Sequence, residues 1–320
     1  MCKILATPRS FAHAKEALEL LRSQGYTVDL FSRDHPLSSA ELSEKISGYD
    51  ALILGLDHCD VNVIEAADNL KVISRNGAGY DKVDIEAASE KNITVMYAPG
   101  TNTIGVAELT MGLMYSLARD LPNISIAARQ GKWQRSQGWE LSGKTLGIIG
   151  LGAIGREVAK RALANDMRVI AFDPYARAYS SVELTDLDDV IQQADILSLH
   201  TALTPETQHL INAKSLARMK DGAYLINTAR GGLVDEVALC DALKSNKLAG
   251  AAMDAFEIEP PEGNPLLGLA NFIATPHIGA NTKESVAKAN LQAAKNVLDI
   301  LQGRENPFIL NRTQKAKSSV

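Results

Sequence analysis

"TLGIIGLGAIGREVAKRAL", residues 145–163, opens as an apolar run, turns through three glycines and continues with helical spacing. Gly150, Gly152 and Gly155 stand in GxGxxG order between a strand-like and a helix-like stretch. There the first glycine permits a tight turn, the second lets the backbone approach a pyrophosphate, and the third allows close packing of helix on strand. The helix start adds free amides and the positive end of a dipole. Ala153 and Ile154 lie inside the fingerprint and count with the glycines as cofactor-binding candidates. A glycine turn without a ligand has the same spacing, so the next strand matters. "RVIAFD", residues 168–173, ends at Asp173, near the distance of about 20 residues at which a carboxylate meets an adenosine ribose. An acid there accepts from the ribose hydroxyls and repels a 2′-phosphate. NAD is therefore expected rather than NADP, with Arg177 the one opposing sign.

Outward from this motif the chain alternates. "KILAT", "TVDLFS", "ALILG", "KVISR" and "ITVMY" are interleaved with helical stretches such as "SFAHAKEALELLRSQG" over residues 1–98. A second series begins near residue 145 with "TLGIIG", "RVIAFD", "DILSLH", "AYLINT" and "LAGAAMDAF". Short β-rich runs alternating with helices indicate parallel βαβ units, so an α/β fold of two doubly wound parallel-sheet domains is expected. Between the series, residues 101–119 form an apolar helical pattern through Val106, Leu109, Leu113, Met114 and Leu117, expected to pack where the two units meet. A last amphipathic helix from about Lys283 to Leu301 is expected to return to the first unit. The polar tail "NRTQKAKSSV" has no apolar periodicity and is expected to fray.

Composition narrows the partners. The 320 residues carry 33 basic and 38 acidic side chains, a net charge of −5, with no basic stripe of the kind a phosphate backbone needs. Cys2, Cys59 and Cys240 are isolated, without disulfide or metal-ligand spacing, and no metal is expected. No run approaches the length that spans a bilayer, and "MCKILATPRS" has no signal-peptide pattern. A cytoplasmic protein without nucleic-acid or membrane partners is expected.

In an open parallel sheet, ligands sit outside the carboxyl ends of the strands. The residues following the second series are His200 and Thr201, then Thr228, Ala229 and Arg230, then Asp254, then His277. All are expected in one crevice, with Thr207 and Gly279 grouped among the cofactor-binding residues. Arg230, in "NTARGG", suits a carboxylate held through two parallel hydrogen bonds, or else an exposed salt bridge. Glu259, in "EIEPPEGNP", is either a partner to the site or a solvated loop acid. His277, in "IATPHIGA", is fixed by Pro276 and Gly279 and reads as a strand cap, a metal ligand or a proton carrier. In the first series, "SRNGAGYDKVD" places Arg75, Asn76, Gly77, Ala78 and Gly79 in a loop whose amides form either an anion nest or a structural turn. His13, His35, His58 and His209 show no partner pattern and read as structural or exposed.

The runs "ELSGKTLGIIGLGAIGREVAKR", "NTARGGLVDEVAL", "AMDAFEIEPP" and "TPHIGANTKES" resemble the D-isomer-specific 2-hydroxyacid dehydrogenases, most closely their D-3-phosphoglycerate dehydrogenase branch. The likeness extends to about residue 312. It implies a flavodoxin-like substrate domain, residues 1–98 plus about 286–312, around an inserted Rossmann NAD domain, residues 99–285. It also implies roles: Arg230 binds the substrate carboxylate, His277 exchanges the proton, Glu259 pairs with His277, and Asp254 helps hold the nicotinamide. The family's R-x-G-x-G-x-D arrangement is matched by Arg75, Gly77, Gly79 and Asp81. "GKWQR", with Lys132 and Arg135, lies where the family usually dimerises, so a homodimer is expected.

Two departures stand out. "LILGLDHC" has no arginine where many phosphoglycerate dehydrogenases carry one, which removes one phosphate partner. Ala153 replaces the fingerprint's usual arginine, with small effect because pyrophosphate contacts are largely made by the backbone. A chain of 320 residues is also expected to lack the appended regulatory domains of some relatives, and with them serine feedback.

The chemistry expected is hydride transfer between a 2-hydroxy or 2-keto acid and NAD. An imidazole, with an unperturbed pKa near 6.5, can carry the accompanying proton near neutral pH. Pairing with Glu259 favours the imidazolium, which suits keto-acid reduction. The first substrate expected is 3-phosphoglycerate, at the entry to serine synthesis; the second is an unphosphorylated acid such as glycerate, lactate or sulfolactate. A different class, an NAD-sensing corepressor, could keep the same residues. A GxGxxG methyltransferase would leave Arg230, Glu259 and His277 unexplained.

Overall fold

A computed structural model describes residues 2–133, 135–179 and 181–312; most of the polar tail, 313–320, lies outside the described residues. The chain divides into two compact units, residues 1–102 with 282–320, and residues 103–281.

The first unit is built on β1 (Lys3–Ala6), β2 (Thr27–Leu30), β3 (Ala51–Leu54), β4 (Val72–Arg75) and β5 (Thr94–Met96). All pair in parallel, in the order β2-β1-β3-β4-β5, the flavodoxin-like order. Strands covered on both faces read as continuous apolar runs rather than alternating ones, and all four residues of β3 are buried. The helix Lys283–Leu301 belongs to this unit: Ala293, Ala294, Val297 and Leu298 are buried against Ile4, Ile53 and Val72. Beyond it the chain returns to the sheet, where Ile309 bridges Met96 antiparallel and the Leu310 N–H donates to the Val95 carbonyl at 2.8 Å. That segment covers backbone which β5 would otherwise expose at the sheet edge.

The second unit carries β6 (Thr145–Ile149), β7 (Arg168–Phe172), β8 (Glu183–Leu184), β9 (Ile196–Leu199), β10 (Ala223–Asn227), β11 (Leu248–Met253) and β12 (Phe272–Ala274). They form one parallel sheet ordered β12-β11-β10-β9-β6-β7-β8. This is the Rossmann arrangement with one further strand, and its order reverses between β6 and β9, where such sheets bind ligands. The helix Thr103–Arg119 buries Ala107, Met111, Leu113, Met114 and Ala118 in the core shared with Val158, Ala159 and Ala162 of the helix Ala153–Leu163. The opposite face of the sheet is filled by a second cluster that includes Leu197, Leu225, Leu239 and Met253.

Two local readings change. "SFAHAKEALELLRSQG" is not one helix: a 3₁₀ turn, Arg9–His13, is separated from the helix Lys15–Ser23 by Ala14, whose ψ of 68° lies outside the helical region. Strand β8 was not anticipated, because two exposed edge residues carry no periodicity to read.

Candidate active site

The glycine turn leaves β6 with the geometry its spacing anticipates. Gly150 has φ +93°, and a Cβ there would lie 2.6 Å from the His200 carbonyl carbon and 2.7 Å from the Thr201 amide nitrogen. Only glycine serves at such a position, where positive φ and a close backbone coincide. At Gly155 a Cβ would come within 2.1 Å of the Gly150 carbonyl oxygen, so helix and turn touch backbone to backbone. Gly152 caps the helix Ala153–Leu163 without a side-chain hydrogen bond, and a Cβ built there meets nothing within 4 Å. A helix start uncapped by any side chain, beside open space, fits the backbone approach a pyrophosphate needs.

Asp173, just past β7, accepts from the Leu151 N–H through Oδ2 and from the Tyr175 N–H through Oδ1, each at 2.8 Å. A carboxylate offers about four acceptor sites, so capacity for ribose hydroxyls remains. Nearby Arg177 is exposed. These features fit a dinucleotide.

His200 follows β9. Its Nε2 lies 2.9 Å from the Ser198 hydroxyl, while Nδ1 is buried without a partner among the described residues. Burial pushes its pKa down to about 3, so the ring is neutral at physiological pH. In the unfolded chain it titrates near 6.5, so the unfolded state binds the extra proton below that value. Stability is then complete above about pH 6.5 and falls as the pH drops toward 3, by about 1.4 kcal/mol per pH unit for one proton. His200→Gln should flatten this acid limb; urea unfolding of both proteins at pH 7, 5.5 and 4.5 measures the difference. Thr201 is half-buried. The Thr207 hydroxyl donates to the Ala202 carbonyl and accepts from the Thr204 N–H, each at 2.8 Å, and shapes the loop after His200.

The turn after β10 is organised by Asn227, a fully buried side chain that sequence reading did not single out. Its Nδ2 donates to the Arg230 carbonyl at 2.7 Å and its Oδ1 accepts from the Ala229 N–H at 3.0 Å. Thr228 shares a buried 2.9 Å hydroxyl pair with Thr110, from the helix Thr103–Arg119. The Arg230 guanidinium donates to the Ala229 carbonyl at 2.8 Å. Beside it, a Cβ on Gly231 would lie 1.9 Å from the Phe256 carbonyl carbon, so this turn rests directly on the backbone of the loop carrying Glu259.

Asp254, 2% exposed, commits its carboxylate to the segment after β12. It accepts from the Thr275 hydroxyl at 2.6 Å and from the Ile278 and Gly279 N–H groups at 2.8 Å each. His277 sits inside that clamp in the left-handed region, φ +52°, a conformation a bulky residue keeps only where its surroundings enforce it. Its Nδ1 lies 2.9 and 3.0 Å from the two Glu259 oxygens. The Phe256 N–H also donates to Glu259, at 3.2 Å. An ionised carboxylate only accepts, so Nδ1 carries the proton and Nε2 is the nitrogen left for exchange. Outside this group, His209 pairs with Glu257 at 2.6 Å, a partnership between residues too far apart in sequence to be read there.

In the first unit, residues 76–79 form the turn after β4, which ends at Arg75. The Arg75 guanidinium folds back onto the Asn76 carbonyl. Gly77 has φ +149°, and a Cβ there would lie 2.7 Å from Arg75 Nη1. The Gly77 carbonyl accepts from the Ala98 N–H at 2.9 Å, and Ala78 and Gly79 are half-buried. Lys132 and Arg135 are exposed, and no helix among the described residues is long and apolar enough to cross a membrane.

The family model of the D-isomer specific 2-hydroxyacid dehydrogenase NAD binding domain matches residues 111–279. Over 283 residues the chain is 46% identical to a D-3-phosphoglycerate dehydrogenase of Methanocaldococcus jannaschii, covering 86% of this chain and 54% of that protein. It is 43% identical over 291 residues to a hydroxypyruvate reductase of Thermotoga maritima, covering 88% and 94%. A crystal structure from Thermus thermophilus superposes with a TM-score of 0.88 at 39% identity, covering 96% of this chain and 99% of the other. The chain thus spans about half the length of the phosphoglycerate dehydrogenases it matches. With the glycine turn, Asp173 and the strand-end residues in place on a Rossmann sheet, the chain belongs to the D-isomer specific 2-hydroxyacid dehydrogenase family and carries its NAD-binding domain.

Proposed function

We propose that this protein is an NAD-dependent dehydrogenase of small D-2-hydroxy acids, with His277 as the proton carrier. The observation that carries the reading is the two-oxygen grip of Glu259 on His277 Nδ1 at 2.9 and 3.0 Å. It fixes the tautomer and turns Nε2 into the exchanging atom. Bound NAD supplies the hydride acceptor or donor. Gly150, Gly152, Ala153, Ile154, Gly155, Asp173, Thr201, Thr207, Thr228 and Ala229 hold it, with His200 as a neutral neighbour. Asp254 acts on the nicotinamide side through the Gly279 segment it clamps. Arg230 binds the substrate carboxylate and polarises the adjacent carbonyl. His277 then gives its proton to the oxygen in reduction and takes it back in oxidation. The Arg75–Gly79 loop binds the remaining acidic or polar end of the substrate.

For the substrate, 3-phosphoglycerate is the first acid to test and would place the enzyme at the entry to serine synthesis. An unphosphorylated acid is favoured by one observation. Asp57, in the stretch without an arginine, is 4% exposed and accepts from the Leu37 N–H at 2.7 Å and the Gly55 N–H at 3.0 Å. A buried acid there gives a phosphate nothing to bind. NADH formation with D- and L-2-hydroxy acids, phosphorylated and not, and NADH consumption with the matching keto acids, decide between them. No turnover with any acid would sink the enzyme reading and leave an NAD-binding protein of the corepressor type.

We also propose a cytoplasmic homodimer. The helix Leu121–Arg129 buries none of its residues, and Leu121, Ile126 and Trp133 are 49%, 55% and 89% exposed. An apolar surface of this kind marks a contact, and a second copy covers it. Ile126→Glu should halve the mass seen by analytical ultracentrifugation; an unchanged mass removes this surface as the interface.

A further inference from the structure

The loop assigned to substrate binding in the first unit is tied to the returning C-terminal helix by one buried amide. Asn290, on the helix Lys283–Leu301, is 3% exposed. Its Oδ1 accepts from Asn76 Nδ2 at 2.8 Å and from the Ser10 hydroxyl at 3.2 Å. Asn76 Oδ1 is buried with no partner among the described residues, so among them the bond to Asn290 is the only one its side chain makes. Asn76 stands between Arg75, whose guanidinium folds onto the Asn76 carbonyl, and Gly77, which leaves no room for a Cβ beside that guanidinium. A displacement of Asn76 therefore displaces Arg75. A buried amide left without its single partner has both polar ends unpaired, and the loop would rearrange to hydrate them. The helix makes a comparable bond further along, where Asn296 Nδ2 donates to the Tyr97 carbonyl at 2.8 Å.

We propose that Asn290 is a positioning residue: from outside the substrate loop, it fixes Asn76 and through it the guanidinium of Arg75 that receives the acidic end of the substrate. The proposal rests on the dehydrogenase reading above, and its test separates the two. Asn290→Leu keeps the size and removes the acceptor. Asn290→Asp keeps an acceptor for both Asn76 and Ser10.

In steady-state reduction of the best keto acid from the panel, Asn290→Leu should raise the KM for that acid about tenfold. kcat and the KM for NADH should stay within about twofold, and Asn290→Asp should restore the acid KM to within about threefold. Hydrogen exchange of the intact protein, followed by mass spectrometry, should quicken over residues 75–80 in the Leu variant and not in the Asp variant. If the Leu variant does not fold, Asn290→Ala removes the same acceptor with a smaller side chain and should give the same KM split. An unchanged acid KM, or equal losses in both KM values and kcat, overturns the proposal. Wild-type protein without turnover fails the dehydrogenase reading instead; unaltered exchange over residues 75–80 in the Leu variant would then overturn the positioning role by itself.

Discussion

His277→Ala is expected to lower turnover by about 10³-fold while NAD affinity, measured by calorimetry, stays within about twofold. The expectation follows from what each part of the site touches. His277 is held through Nδ1 by Glu259, and its segment is held through Thr275, Ile278 and Gly279 by Asp254. Removing the imidazole deletes the proposed proton carrier and leaves the bonds to Asp254 intact. The glycine turn and Asp173 belong to other strands of the sheet, so the dinucleotide loses little. Glu259→Gln is the informative companion. An amide in place of the carboxylate can present an N–H as well as an oxygen to the ring, so the two-oxygen grip on Nδ1 is lost and turnover should fall about tenfold with NAD affinity unchanged. Undiminished turnover in the alanine variant would remove His277 from the chemistry, and undiminished turnover in the glutamine variant would reduce Glu259 to a packing role.

The second large effect concerns packing rather than chemistry. Gly231→Ala puts a methyl group 1.9 Å from the Phe256 carbonyl carbon and 2.2 Å from the Glu257 nitrogen. Both are backbone atoms, so neither can rotate away. The turn carrying Arg230 and the loop carrying Glu259 must separate, at a cost of about 3 kcal/mol. For a unit of this size that lowers Tm by about 6–12 °C, and activity should fall further than stability because Glu259 leaves His277. Gly232→Ala is the control. Its methyl would meet Leu203 Cδ2 at 3.0 Å, the far end of a flexible side chain, and should cost about 0.5 kcal/mol. Differential scanning calorimetry of the two variants checks the contrast; equal small losses would mean that the two loops are not rigidly stacked.

Much of the fold is legible in the chain because parallel strands covered on both faces must be apolar throughout, and "ALIL" and "TLGII" can be little else. The Gly150 turn is legible for the same kind of reason: its backbone conformation leaves few residue types available. Strand β8 is not, since two exposed residues on an edge obey no pattern. The roles of Asn227, Thr110 and Asn290 are not legible in the chain, because an asparagine or threonine in a helix or strand has the same composition whether it faces water or locks a turn.

Two doubly wound sheets, a glycine turn between strand and helix, and the residue types gathered at strand ends can be read along the chain, because backbone sterics and apolar periodicity are local properties. Which side chain holds which is a property of the folded chain alone. That Glu259 grips His277 with both oxygens, that Asp254 spends its carboxylate on the segment after β12, and that Asn290 reaches Asn76 from 214 residues away are matters of distance across the fold. A hydrogen bond forms within about 3 Å in space, and separation along the chain neither reveals nor forbids it.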